Sequence, residues 1–330
     1  MARFIKTLKK TALAASIASL ATVANATIVT SIKPLGFIAS SIADGVTDTE
    51  VLVPAGASPH DYSLKPSDIQ KLQGAELILW VGEDIDAFLD KTLRPMPFKK
   101  VLSIADFAEI GGLLEGEAHD HKHEHDHTHK HDHTHKHEHD HKHDQEHKHD
   151  HAHGHEHDHS TNWHVWYSPE ISKIVATRLA TRLTEAYPEK KEKIAQNLAE
   201  FNRTLAEQSE KIKQQLAPVK EKGFYVFHDA YSYFNNAYGL KQTGYFTINP
   251  LVAPGAKTLA KIKQEIKEHK VNCLFAEPQF TPKVIESLSK GTGVHVGRLD
   301  PMGDAVKLGV NSYANFLQYT ADSYFACLSK

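Results

Sequence analysis

Cysteine is almost absent: two of 330 residues, Cys273 and Cys327, far apart in sequence and close to the end. In an exported chain an even pair reads first as one disulfide. On the chain-entropy model, closing so long a loop would contribute roughly 4 kcal/mol, less any strain. Two free thiols or two metal ligands are the alternatives, but neither cysteine has a partner at metal-site spacing. An excess of either charge is also lacking. With the first 26 residues and the histidine-rich tract described below set aside, 29 basic residues face 30 acidic ones. That balance carries no electrostatic footprint for nucleic acid and excludes it as the main partner. Outside that tract no HExxH metalloprotease motif occurs, and nowhere does GxSxG, the nucleophile elbow of serine hydrolases.

The first residues, MARFIKTLKKTALAASIASLATVANA, combine a basic start with a short apolar stretch and the small-residue ending Ala24-Asn25-Ala26. This is the pattern of a secretory signal cut after Ala26, and it points to a soluble periplasmic protein. The apolar stretch, about 13 residues, falls short of the roughly 20 that span a bilayer. No cysteine follows the cleavage position, so a lipid anchor has no support.

Histidine is what the chain has in excess. Of 25 histidines, 20 lie between His119 and His159, at nearly every second position, with 11 acids and 5 lysines among them. The tract has almost no apolar residue and cannot offset the entropy of ordering, so it should be disordered without metal. Alternation would put its imidazoles on one side of an extended chain. Roughly 263 residues remain for folding, which is two lobes of about 120 residues or one large domain.

Short apolar runs alternate with amphipathic ones along the rest. TIVTSI (27–32), EVLVP (50–54), ELILWVG (76–82) and KKVLSI (99–104) read as strands before the tract. GFYVF (223–227), KQTGYF (241–246), VNCLFA (271–276) and GVHVGRL (293–299) read as strands after it. Helical segments lie between them, so the fold class is α/β: two lobes, each a mostly parallel four-stranded sheet with flanking helices. Ser168 with Pro169 behind it starts a helix. Pro188 ends that one and begins another running to about Leu216, roughly 43 Å long. That helix joins the halves as a rigid spine and should permit only modest lobe movement. The organisation expected is a signal at 1–26, a first lobe at 27–186 containing the loop 119–159, a linking helix at 187–217 and a second lobe at 218–330.

Ligands of open α/β sheets bind beyond the carboxyl ends of the strands. Of the five histidines outside the tract, His60 lies in a loop straight after a strand and His228 directly follows FYVF. His164 precedes the capped helix, also at a lobe edge. His269 ends a lysine-rich helix, where it would complement the helix dipole, and His295 sits inside a strand as a packed or surface residue. Glu277 and Asp300 follow strands. Three neutral imidazoles and one further group complete a tetrahedral zinc site, here with His60 and His164 from the first lobe and His228 and Asp300 from the second. Three histidines with an open fourth position would equally suit a zinc enzyme.

The motifs PHDYSLKPSD, HVWYSPE, VFHDAYSYF, FAEPQF and RLDPMGD, in that order, resemble the zinc-binding periplasmic proteins of ABC importers, the ZnuA-type members of the metal-binding cluster A-I. The resemblance covers nearly the whole mature chain. It implies two α/β lobes joined by a long helix, one zinc ion at their interface, and delivery to a membrane permease with its cytoplasmic ATPase. The chain would then act as a monomer and not as an enzyme. The family's histidine ligands fall on His60, His164 and His228. A histidine in the third position, where manganese relatives have Glu, favours zinc. Asp300 matches the fourth position. Pro59 stands where some relatives carry a Glu, so that carboxylate is missing. Glu277 looks like a group that orients an imidazole, although pairing with a lysine or capping a helix would serve it nearly as well. Cys273 and Cys327 match a bridge common in zinc-type members, and the tract matches their charged histidine-rich loop. There it would act as a collector or sensor that holds additional zinc ions weakly. A periplasmic zinc buffer without a transporter is the remaining alternative.

Overall fold

A computed structural model describes residues 27–116, 161–280 and 283–330. The signal expected at 1–26 and the histidine-rich tract at 119–159 lie outside the described residues. The first sheet contains β1 (Thr27–Thr30), β2 (Asp48–Val51), β3 (Leu77–Trp80) and β4 (Val101–Ser103), in the order β2-β1-β3-β4. All its pairings are parallel. Between the strands run α1 (Lys33–Ile42), α2 (Pro66–Gly74) and the short turns α3 (Glu83–Asp86) and α4 (Asp90–Leu93). The LILW run of β3 is buried along its length, as a parallel strand covered on both faces requires.

A two-stranded antiparallel ribbon follows, β5 (Glu115–Gly116) with β6 (Thr161–Asn162), and the histidine-rich segment departs from it. Next come α5 (Pro169–Ala186) and α6 (Lys191–Leu216). Ser168 caps α5 by accepting the Ile171 N–H, and Pro188 separates the two helices, both as the sequence suggests. Twenty-six residues make α6 about 39 Å long. Its buried residues Ile194, Phe201, Leu205, Ile212 and Leu216 recur at steps of seven and four, one stripe of an α-helix.

The second sheet contains β7 (Phe224–His228), β8 (Gln242–Thr247), β9 (Cys273–Ala276) and β10 (His295–Arg298), in the order β10-β9-β7-β8 and again parallel. Its helices are α7 (Ser232–Tyr238), α8 (Ala256–Lys267), α9 (Lys283–Thr292) and α10 (Ser312–Leu328). All eight strands expected from the sequence form. No described helix is long and apolar enough to cross a membrane.

The spine is not the only bond between the halves. Helix α10 packs against α1 and α6 as well as its own sheet, and one hydrophobic cluster runs through both lobes. Phe316 of α10 stacks on Tyr167 at 5.1 Å and meets Phe37 of α1 at 5.2 Å. Gly303 has φ +62°, and a Cβ there would stand 2.6 Å from the Phe316 ring and 2.9 Å from that of Phe37. Only a residue without a side chain fits this turn. The bridge Cys273–Cys327 ties α10 to β9, with its Cα atoms 6.2 Å apart.

Candidate metal centre

Strand order locates the site. In each sheet the strand order reverses between two central strands, β1 and β3 in the first and β7 and β9 in the second. Ligands of open parallel sheets collect at the carboxyl ends of such strands. His228 is the last residue of β7, and Glu277 directly follows β9.

His60 sits in the loop after β2. Its backbone N–H donates to Ser58 Oγ at 3.3 Å. The loop is held from the other lobe: Gly56 N–H donates to Asp304 Oδ2 at 2.7 Å, and Lys33 Nζ donates to the Asp304 carbonyl at 2.7 Å. Downstream, Pro66 opens α2 and Asp68 accepts the Lys65 N–H at 2.9 Å, which accounts for the KPSD of the motif. His164 enters the 3₁₀ turn Val165–Tyr167. That turn is pinned across the lobes, Trp166 Nε1 donating to the Pro301 carbonyl at 3.1 Å and Tyr313 donating to the Trp166 carbonyl at 2.8 Å.

The three histidines converge. One ligand atom from each of His60, His164 and His228 lies within 4.8 Å of the others, and this is the group of its kind among the described residues. His164 Nε2 and His228 Nε2 are 3.3 Å apart. Two imidazole nitrogens bound at 2.0–2.1 Å to one tetrahedral ion would be separated by about 3.3–3.4 Å. The same spacing is within hydrogen-bond reach, the donor and acceptor then depending on the tautomers of the two rings. His228 Nδ1 lies 2.7 and 2.8 Å from the two oxygens of Glu277, which only accept, so Nδ1 carries the proton. Tyr231 donates to the same carboxylate at 3.0 Å. Glu277 is 2 % exposed and orients the imidazole, the arrangement common around histidines that ligate zinc.

Electrostatics favour a neutral ring at His60 and at His164. Burial, with His228 alongside, pushes the His60 pKa down to about 3. Burial and the two neighbouring rings put His164 well below its ordinary range. Metal therefore displaces no proton from these two rings at neutral pH. The rings, with Glu277, Pro301 and Met302, enclose about 10 Å³, the room of one small guest. His60 and His164 also line an open cleft of about 320 Å³ beside Asp84, Trp163 and Asp229. A larger cavity of about 730 Å³ lies between β4 and α5 and contains none of the candidate residues.

Asp300 is buried yet stands outside the histidine group. Its Oδ1 accepts from Gln279 Nε2 and Met302 N–H, at 2.8 and 3.0 Å, and Oδ2 accepts the Asp304 N–H at 2.7 Å. Those bonds build the turn that reaches the His60 loop. His269 takes a φ of 56° just past α8, a left-handed helix end. His295 is exposed on β10. Sequence reading missed Asn162, whose Oδ1 accepts both the His164 N–H and His164 Nδ1. The available signal was the Asn-x-His spacing, since an Asn side chain readily accepts from the backbone two residues on.

Comparison with known proteins agrees with this geometry. The family model for ZnuA, the zinc-uptake complex component A, periplasmic, matches residues 28–327. The high-affinity zinc uptake system protein ZnuA of Haemophilus influenzae is 68% identical, with 98% of this chain and 99% of that one covered. The protein of the same name from Yersinia pestis is 44% identical, with 92% of each chain covered. Among solved structures, the periplasmic zinc-binding protein TroA from Treponema pallidum superposes with a TM-score of 0.68. That match has 17% identity and covers 93% of this chain and all of that one, a likeness of fold.

Proposed function

The chain belongs to the ZnuA family of periplasmic zinc-uptake components, and from that premise we propose that it captures one Zn²⁺ between its lobes and delivers it to an ABC permease. The family is one of solute-binding proteins of high-affinity zinc uptake, not of enzymes. In this reading His60, His164 and His228 are the ligands, and the observation that carries it is the 3.3 Å between the Nε2 atoms of His164 and His228. Glu277 and Asn162 keep the protons of those rings on Nδ1, so that both Nε2 lone pairs face the ion. The fourth position goes to a small exchangeable ligand, because Asp300 spends its oxygens on the turn of residues 300–304.

The histidine-rich tract serves the site as a loose zinc collector. Its acids raise local cation concentration, and a run of alternating imidazoles with almost no apolar residue among them holds each ion weakly. The ribbon from which it leaves supports this role: Thr161 and Asn162 line the cleft together with His60 and His164.

The test is stimulation of a reconstituted cognate permease–ATPase. Zinc-loaded protein should raise ATP hydrolysis and zinc entry, and His228→Ala should not. Tight zinc binding without stimulation would make the chain a buffer. Zinc-dependent ester or phosphate hydrolysis lost in His228→Ala would make it an enzyme and overturn the reading.

A further inference from the structure

We propose that Asn162 is a positioning residue that fixes the tautomer of His164 and makes it depend on the seating of the second lobe, an inference that rests on the zinc-binding reading above. The amide orientation follows from hydrogen-bond logic. The backbone N–H of His164 can only donate, so the Asn162 atom 3.0 Å from it is the oxygen. That oxygen can only accept, so His164 Nδ1, 2.8 Å away, carries its proton. The lone pair is thereby left on Nε2, the atom that faces His228.

The other end of the same amide reaches the second lobe. Asn162 Nδ2 donates to the Asp229 carbonyl at 2.9 Å and to Ser232 Oγ at 3.2 Å. Asp229 immediately follows His228, so one side chain bonds to one ligand and to the residue beside another. The backbone around it is clamped as well: Tyr233 donates to the Asn162 carbonyl at 2.6 Å and accepts the Glu115 N–H at 3.0 Å. Asn162 is 3 % exposed, and its three side-chain partners leave it no freedom to rotate. Separation of the lobes would remove both acceptors of Nδ2. The amide could then turn, His164 would lose the partner that holds its proton on Nδ1, and Nε2 could take the proton in place of zinc. Lobe opening and loss of the metal are coupled through this residue.

Two substitutions in the full-length mature protein separate the roles. Asn162→Ala removes the acceptor and the interlobe donor. Asn162→Asp keeps an acceptor for Nδ1–H and cannot donate to the Asp229 carbonyl. The first readout is the tautomer of His164 without metal, from ¹⁵N–¹H correlation of the ring, assigned by difference from His164→Ala. The second is zinc dissociation from the slow, cleft-held phase on mixing with excess chelator. Nδ1–H should predominate in the parent and in Asn162→Asp and be lost in Asn162→Ala. Dissociation should quicken about 10- to 100-fold in Asn162→Ala, and several-fold in Asn162→Asp despite its intact tautomer. A parent-like tautomer in Asn162→Ala, or dissociation from Asn162→Asp within twofold of the parent, would overturn the proposal. If Asn162→Ala does not fold, the isosteric Asp variant decides alone. A parent protein with no slow zinc phase would refute the zinc reading, while the metal-free tautomer would still report on Asn162.

Discussion

Glu277→Gln is the substitution that tests how the second lobe prepares its ligand. Both carboxylate oxygens lie within hydrogen-bond reach of His228 Nδ1, at 2.7 and 2.8 Å, and Oε1 also accepts from Tyr231 at 3.0 Å. A glutamine can put its one oxygen at the Oε1 position and keep the tyrosine. Its NH₂ must then stand where Oε2 stood, about 2.8 Å from an N–H that also donates. Two donors cannot share that contact. The ring either swings away or moves its proton to Nε2, and in both cases the lone pair aimed at the ion is lost. Substitutions of this kind usually cost 10- to 100-fold in metal affinity, about 1.4–2.7 kcal/mol. Glu277→Gln should therefore weaken cleft zinc by that factor in chelator competition, with the loss mainly in a faster off-rate. The folded structure should persist, since the replacement has the same shape. Affinity and off-rate both within twofold of the parent would refute the assignment of Glu277 as the group that orients His228.

The cleft and the tract should respond differently to acid. His60, lowered to about 3, stays neutral at pH 5.5, where an ordinary imidazole with a value near 6.5 is largely charged. Lowering the pH from 7.5 to 5.5 should strip zinc from the tract and leave about one ion bound, as counted by metal analysis after desalting. The half-buried His60 and the buried His164 also set a stability trend in the metal-free protein. Unfolded histidine takes up a proton below about pH 6.5 and the folded rings do not, so each should remove stability as pH falls below that value, His60 doing so until about pH 3. Asp86 works in the opposite direction. Burial raises its pKa to about 7 even though Ser31 and the Val81 N–H donate to it. It binds a proton in the folded state that the unfolded chain has already released, so stability is lost as pH rises from about 4 to 7. In Asp86→Asn the change in urea stability between pH 5 and 7 should differ from the parent's by about 2–3 kcal/mol; parallel curves would remove Asp86 from the account. Gly303→Ala must force a Cβ into a left-handed turn against Phe316 and Phe37. It should cost about 3 kcal/mol in urea unfolding, and a loss below about 1 kcal/mol would show that the shared core yields there.

Much of the fold was legible because parallel sheets covered on both faces write short apolar runs into the chain, and β3 and β7 are the clearest cases. The helix start at Ser168 and the break at Pro188 were legible because caps and prolines act within a few residues. The three converging histidines were legible because strand ends attract ligands and because five motifs resembled one family. What escaped was non-local. Asn162 meets Asp229 across 67 residues, and nothing near either position announces the pairing. Asp300 follows a strand as a ligand might, and its two oxygens also accept from backbone N–H groups two and four residues on, a turn that residue type alone does not specify. The place of α10 in the core of both lobes depends on how its two buried faces are shared, and an amphipathic pattern gives only that such faces exist. Glu277 could be read as an orienting group or as a helix cap until the structure set it 2.7 Å from His228 Nδ1.

The central claim is that one preorganised interlobe site holds the transported ion and that the histidine-rich tract only serves it. A chelator-competition zinc titration of residues 27–330 lacking 119–159, with His228→Ala in the same background, tests it most directly. The account predicts one tightly held ion in the shortened protein and at least about a 100-fold weaker one after loss of His228, as removal of one of three ligands implies. A shortened protein with no tight ion, or one that His228→Ala leaves undisturbed, would contradict it.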